Sequence, residues 1–187
     1  MRRPLLAALG LTLAATTAGC GILGGGEIAG ISDSGMDNDM CYFSYGPDGF
    51  ASASYPQPPD PGPLDPSKKV VGYSVLPGAS AYDNNAICGS WINFHGTHTA
   101  GTLAGDSYFN IASGTDPGHD GGDGMAPMAK IYFQDVGDDT SGCLTGLAND
   151  YSDIFSQAFN AGVRVHSNSW GSASGSVYSA EASSVDE

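Results

Sequence analysis

Apolar residues along this chain fall in short blocks separated by long polar, glycine-rich stretches, and the spacing inside each block tells one element from another. Glu27-Ile-Ala-Gly-Ile-Ser-Asp33 is a compact apolar run between Gly24-Gly-Gly26 and Ser34-Gly35. It predicts a buried parallel strand with a polar residue at its C-terminal end, the end where open α/β sheets place their chemistry. Val70-Val-Gly-Tyr-Ser-Val-Leu76 predicts a second strand, and the latter half of the segment Gly124 to Val136 a third. Between Leu144 and Ala161, residues Leu147, Tyr151, Ile154, Phe155, Ala158 and Phe159 recur at the spacing of one helical face, with Gly162 as the stop. Val163-Arg-Val-His-Ser-Asn-Ser-Trp170 predicts the next strand. A run of small residues from His95 to about Gly105 predicts a helix able to pack closely on its neighbours. Strand, helix, strand, helix, strand implies an α/β fold with a parallel sheet and right-handed crossovers. Residues 45–69 are rich in Pro, Gly, Ser and Asp and predict a surface loop, and Thr115 to Gly124 predicts a flexible turn cluster.

Composition narrows the setting. The chain has 187 residues, 41% hydrophobic, with 28 glycines, enough for one turn-rich globular domain. Twenty acidic against six basic residues give a net charge of −14, which makes nucleic acid and anionic membrane poor partners. Residues 1–20 carry Arg2 and Arg3, a short apolar stretch and small residues before Cys20, the pattern of a signal peptide and too short to span a membrane. Ala18-Gly19-Cys20 resembles the end of a bacterial lipobox, although Thr17 stands where such motifs carry an aliphatic residue. The expected location is therefore outside the cytoplasm, secreted or lipid-anchored at a bacterial envelope, with membrane contact only through an anchor at Cys20. With Cys20 lipidated, Cys41, Cys88 and Cys143 are an odd set, and one bridge plus one free thiol is the simplest outcome. A Cys41–Cys88 bridge is one option, and the spacing does not choose the pair. No Cys-x-x-Cys element suggests a zinc site.

The densest chemistry lies in His95-Gly-Thr-His-Thr-Ala-Gly-Thr-Leu-Ala-Gly105, preceded far upstream by Asp33-Ser34-Gly35. A serine hydroxyl is a weak nucleophile near neutral pH. An imidazole must take its proton, and a buried carboxylate must fix the tautomer of that imidazole. Asp33 at a strand end and His95 at a helix start have the types and the order for those two roles. The helix N-terminus disfavours an imidazolium, which raises the importance of the carboxylate. Asp-Ser-Gly also occurs in aspartic proteases, but those need two facing copies, and a single copy leaves the histidine motif unexplained. His-Glu-x-x-His is absent, so a metal hydrolase is not indicated.

These motifs resemble those of the subtilisin-like serine proteases (subtilases, peptidase S8), in which an Asp-Ser/Thr-Gly motif is followed by His-Gly-Thr-His-x-Ala-Gly and then by Gly-Thr-Ser-Met-Ala. The resemblance implies a parallel sheet with helices on both faces, Asp33 orienting His95, His95 as general base and then acid, and a structural role for His98, hydrogen-bonded inside the fold. Gly124-Met-Ala-Pro-Met-Ala is similar to a subtilase turn entering a core strand. Ser167-Asn-Ser-Trp-Gly171 is similar to the segment lining the substrate channel, which implies that Ser169, Trp170 and Gly171 bind peptide main chain; a strand end with a packed tryptophan is the alternative. The resemblance requires no cofactor. Calcium occurs in loops of many subtilases, and Asp116, Asp120, Asp123, Asp135, Asp138 and Asp139 are candidate ligands, but no twelve-residue ligand loop is recognisable, so a solvated acidic loop is expected. No Gly-Thr-Ser-Met-Ala, downstream oxyanion asparagine or inhibitory prodomain is seen between Gly21 and Glu187. The expectation is thus a partial subtilase catalytic domain over 27–187: the N-terminal portion of a serine endopeptidase acting on protein or peptide substrates, with the C-terminal part and the nucleophile lacking. The alternative is a non-catalytic pseudoprotease or peptide-binding remnant.

Overall fold

A computed structural model describes residues 23–38, 40, 42–43, 64–66, 68–80, 83, 87–88, 91–92, 94–106, 122–147, 150–171 and 177–186. In chain order the elements are β1 (Ile28–Asp33), β2 (Val70–Val75), β3 (Ile87–Cys88), β4 (Trp91–Ile92), α1 (His95–Ala104), β5 (Lys130–Asp135), α2 (Ser152–Asn160), β6 (Val165–Asn168) and α3 (Ala180–Asp186). Four strands form one parallel sheet in the order β2-β5-β1-β6. The strands β3 and β4 form a short antiparallel pair.

The two central strands bury apolar side chains on both faces; β1 reads as a short apolar run for that reason, whereas β5 is read from the alternation in the latter half of its segment. Ile31, Ile131, Phe133, Tyr73 and Val70 pack with Ala100 and Ala104 of α1 on one face. Val71 and Tyr132 pack with Ala158 of α2 and Val163 on the other, where Val136, Tyr151 and Ile154 continue the core. Gln134 is buried and polar on this second face, between Ser32 and Ser74 of the neighbouring strands, and it is fully engaged. Its amide donates to the Ile154 carbonyl and to Gln157 Oε1, and its Oε1 meets His166 Nε2 at 2.9 Å. Lys69 is also buried, donating to the carbonyls of Pro127 and Ala129. Burial lowers its pKa to about 8, against the opposing pull of Asp106.

Three expectations change. The helix predicted from Leu144 begins only at Ser152, because the Asp150 carboxylate accepts the Ser152 N–H at 2.9 Å. A short acidic side chain that bonds to nearby backbone starts a helix rather than sitting inside one. Leu144 and Leu147 still pack beside Val136, but from the turns before the helix. The last strand is shorter than predicted, ending at Asn168. The third change concerns the cysteines: the bridge joins Cys88 to Cys143 across 55 residues, which rules out the Cys41–Cys88 option. It ties the β3–β4 pair to the loop after β5. Cys41, the leader at 1–20, most of the 45–69 loop and most of the Thr115–Gly124 cluster lie outside the described residues.

Loop-closure entropy over this separation stabilises the fold by about 4 kcal/mol. The Cys88→Ser/Cys143→Ser variant is expected to lose stability on that scale in urea unfolding, and an unchanged midpoint would show the bridge to be dispensable.

Candidate active site

Asp33 ends β1, at the C-terminal edge of the sheet, and is 1% exposed. His95 opens α1, with its side chain half exposed. The Asp33 Oδ1 to His95 Nδ1 distance is 2.8 Å. Oδ1 also accepts the Ser34 N–H at 2.7 Å, and Thr99 Oγ1 lies 3.1 Å from Oδ2. A carboxylate surrounded by donors keeps the proton on His95 Nδ1 and leaves the Nε2 lone pair for chemistry.

The helix reaches the strand because of a glycine. A Cβ on Gly96 would stand 2.0 Å from the Gly35 carbonyl oxygen and 3.1 Å from Asp33 Cβ. Gly35 itself has φ 112°, a backbone state that lets the chain turn sharply after Ser34. The contact is then fastened by polar groups. Ser34 Oγ accepts the Gly96 N–H at 3.0 Å, and Thr97 Oγ1 accepts the Asp37 N–H at 2.9 Å.

Two further carboxylates lie close by, and neither was singled out for this site by sequence reasoning. Asp135 pairs in register with Asp33 across the sheet and is fully buried. Tyr73 Oη donates to its Oδ2 at 2.5 Å, the Gly137 N–H to its Oδ1 at 3.0 Å, and Tyr73 Oη in turn accepts the Met36 N–H. Burial pushes Asp135 up to about 7, its hydrogen bonds opposing and the Asp139 and Asp83 charges adding to the rise. Asp83 is 3% exposed and accepts three bonds from the start of α1. Burial pushes it up to about 6 against the pull of those bonds.

The Subtilase family model matches residues 24–187, most of the chain. The chain belongs to the subtilase family. Among curated relatives of this subtilase are two from Dictyostelium discoideum. The serine protease/ABC transporter B family protein tagD is 36% identical over 172 residues, covering 88% of this chain and 8% of that protein. The similarly described tagB is 34% identical over 154 residues, covering 81% of this chain and 7% of that protein. This subtilase chain thus spans less than a tenth of the length of either relative. Family membership points to serine-protease function.

The structure brings Asp33 and His95 of this subtilase together. Ser169, Trp170 and Gly171 follow β6, whose Asn168 pairs in register with Ser32 beside Asp33. The Trp170 ring is packed: its Nε1–H lies 2.8 Å from the Ser32 carbonyl oxygen and 3.1 Å from Ser32 Oγ, and the ring meets Tyr151 edge-on at 5.1 Å. Ser169 and Gly171 are exposed. His98 is exposed too, on the wall of a cavity of about 640 Å³ with Met40, Phe43 and Phe94, rather than inside the fold as the resemblance implied. The position follows from helical geometry: the inward face of α1 is Gly96, Ala100 and Ala104, and His98, two residues from both Gly96 and Ala100, lies off that face. Among the described residues no three His, Cys, Asp or Glu side chains converge as a metal-binding group. Asp135 departs from the solvated-loop expectation, being the buried end of β5. Asp116 and Asp120 lie outside the described residues.

The raised Asp135 pKa fixes the sign of a pH effect. Between about pH 4 and 7 the folded carboxyl holds a proton that the unfolded one has released, so stability falls as pH rises through that window. Asp83 adds a like contribution up to about pH 6. Asp135→Asn is expected to be less sensitive to pH than the parent in urea midpoints taken across this window; parallel pH profiles for parent and variant would contradict the assignment.

Proposed function

We propose that this chain is the N-terminal portion of a serine endopeptidase catalytic domain, contributing the carboxylate and imidazole of a charge-stabilised triad. The observation that carries this reading is the 2.8 Å Asp33–His95 contact, with its carboxylate buried and its imidazole open to solvent. In the proposed reaction His95 Nε2 takes the proton of a serine hydroxyl as the oxygen attacks a peptide carbonyl. The same nitrogen then delivers that proton to the leaving amine. Water repeats the sequence on the acyl-enzyme, while Asp33 holds Nδ1–H and stabilises the imidazolium. The nucleophile would come from chain beyond this sequence.

Protein or peptide is the proposed substrate, lying along the exposed backbone at Ser169 and Gly171 with the Trp170 ring supporting the turn from within. Export from the cytoplasm is supported by the leader pattern at 1–20 and by the Cys88–Cys143 bridge, since disulfides persist in oxidising compartments. A second reading, peptide binding without catalysis, is favoured by one feature. The sheet order leaves the outer edge of β6 unpaired among the described residues, an edge suited to strand addition.

A serine-directed fluorophosphonate probe applied to extract of the source cells tests the choice. A product heavier than 19.0 kDa that takes the label, and loses it on His95→Ala substitution, is the expected result. An unlabelled product at or just below that mass would sink the protease reading and favour the peptide binder.

A further inference from the structure

Helix α1 carries the proposed base, yet its own start is poorly built. Phe94, at its N-cap, has φ 68° and makes no side-chain capping bond. A bulky residue in the left-handed region costs on the order of 1–2 kcal/mol, and the first N–H groups of a helix need acceptors from outside it. Ser34 Oγ serves the Gly96 N–H, and one residue of an earlier segment serves those of Phe94 and Thr97. Asp83 Oδ1 accepts the Phe94 N–H at 3.1 Å. Its Oδ2 accepts the Thr97 N–H at 3.1 Å and the Thr97 hydroxyl at 2.6 Å. The Thr97 hydroxyl accepts in turn from the Asp37 N–H, on the turn that follows Asp33. One carboxylate thus holds the residue before His95 and, through Thr97, links the helix start to the loop bearing its partner.

We propose that Asp83 is a positioning residue for His95: it caps α1 in place of Phe94 and sets the imidazole against Asp33. Its consequence for catalysis rests on the serine-protease reading above; the placement of His95 does not. The charges that bear on Asp83 are the carboxylates of Asp33 and Asp135. Its raised pKa adds a signature. A proton on either oxygen would meet a donor already aimed at it and weaken at least one of the three bonds, so the cap weakens as pH falls through about 6. Cys88 lies in the segment between Asp83 and Phe94, and its bridge to Cys143 limits how far that segment can drift.

The test reads the His95 Nδ1–H proton by NMR in the 187-residue chain with ring-labelled histidine, and needs no nucleophile. In the parent, exchange of that proton with water is expected to quicken below a midpoint near pH 6, and Asp83→Asn should remove that step. Asp83→Ala should speed exchange about tenfold at neutral pH, the scale of lost hydrogen bonds to a charged group. Adding Phe94→Gly, which adopts positive φ without steric strain, should recover part of the loss. Should Asp83→Ala fail to fold, Thr97→Val removes the hydroxyl leg alone and should speed exchange in the same direction. Unchanged exchange and an unchanged pH profile in the folded variants would overturn the proposal. Absence of fluorophosphonate labelling in the native product would overturn the protease reading and leave these NMR results standing.

Discussion

The site depends on how closely the first turn of α1 can approach the backbone turn after β1. With a side chain at Gly96, the helix would be pushed off the Gly35 carbonyl, and the Asp33–His95 contact would open. The same approach brings Ser34 Oγ to the Gly96 N–H and Thr97 Oγ1 to the Asp37 N–H. A hydrogen bond between a buried acid and a half-exposed imidazole is worth little if either must be reoriented to form it. Here the strand fixes one partner and the helix fixes the other, so the geometry is set by folding.

The rest of the sheet serves that contact. Burying β1 and β5 on both faces makes the end of β1 rigid, and Ala100 and Ala104 allow α1 to lie flat on Ile31 and Phe133. The cost is a crowd of carboxylates at the sheet's C-terminal edge, where Asp33, Asp83 and Asp135 are all buried. Two of them are held well above the usual carboxylate range. Tyr73 and Thr97 moderate this by donating to Asp135 and Asp83, so the hydrogen bonds that locate the turns also make their burial tolerable.

How much of this was legible in the sequence depended on the range of the interaction that decides each element. The strands β1, β2 and β5 and the helix α1 were legible because apolar runs and small residues act locally. Asp33 and His95 were legible because the motif fixes residue type and order together. The late start of α2 hung on a single Asp150 bond to Ser152, which periodicity does not register. The Cys88–Cys143 pairing, the β3–β4 pair and the short α3 carry no local pattern. Asp83 escaped notice for a related reason: its cap reaches from an intervening segment, whereas capping signals in a sequence are read from adjacent residues. Trp170 was readable two ways, and its ring proved to be packed against Tyr151 and Ser32.

The central claim is that folding presets Asp33 and His95 for a serine supplied from elsewhere in the native product. A crystal structure of that product tests it most directly. The account predicts a serine Oγ within about 3 Å of His95 Nε2, with the Asp33–His95 distance unchanged from 2.8 Å. A structure in which Nε2 faces solvent or is capped by a side chain other than serine, with the Asp33 contact intact, would contradict it.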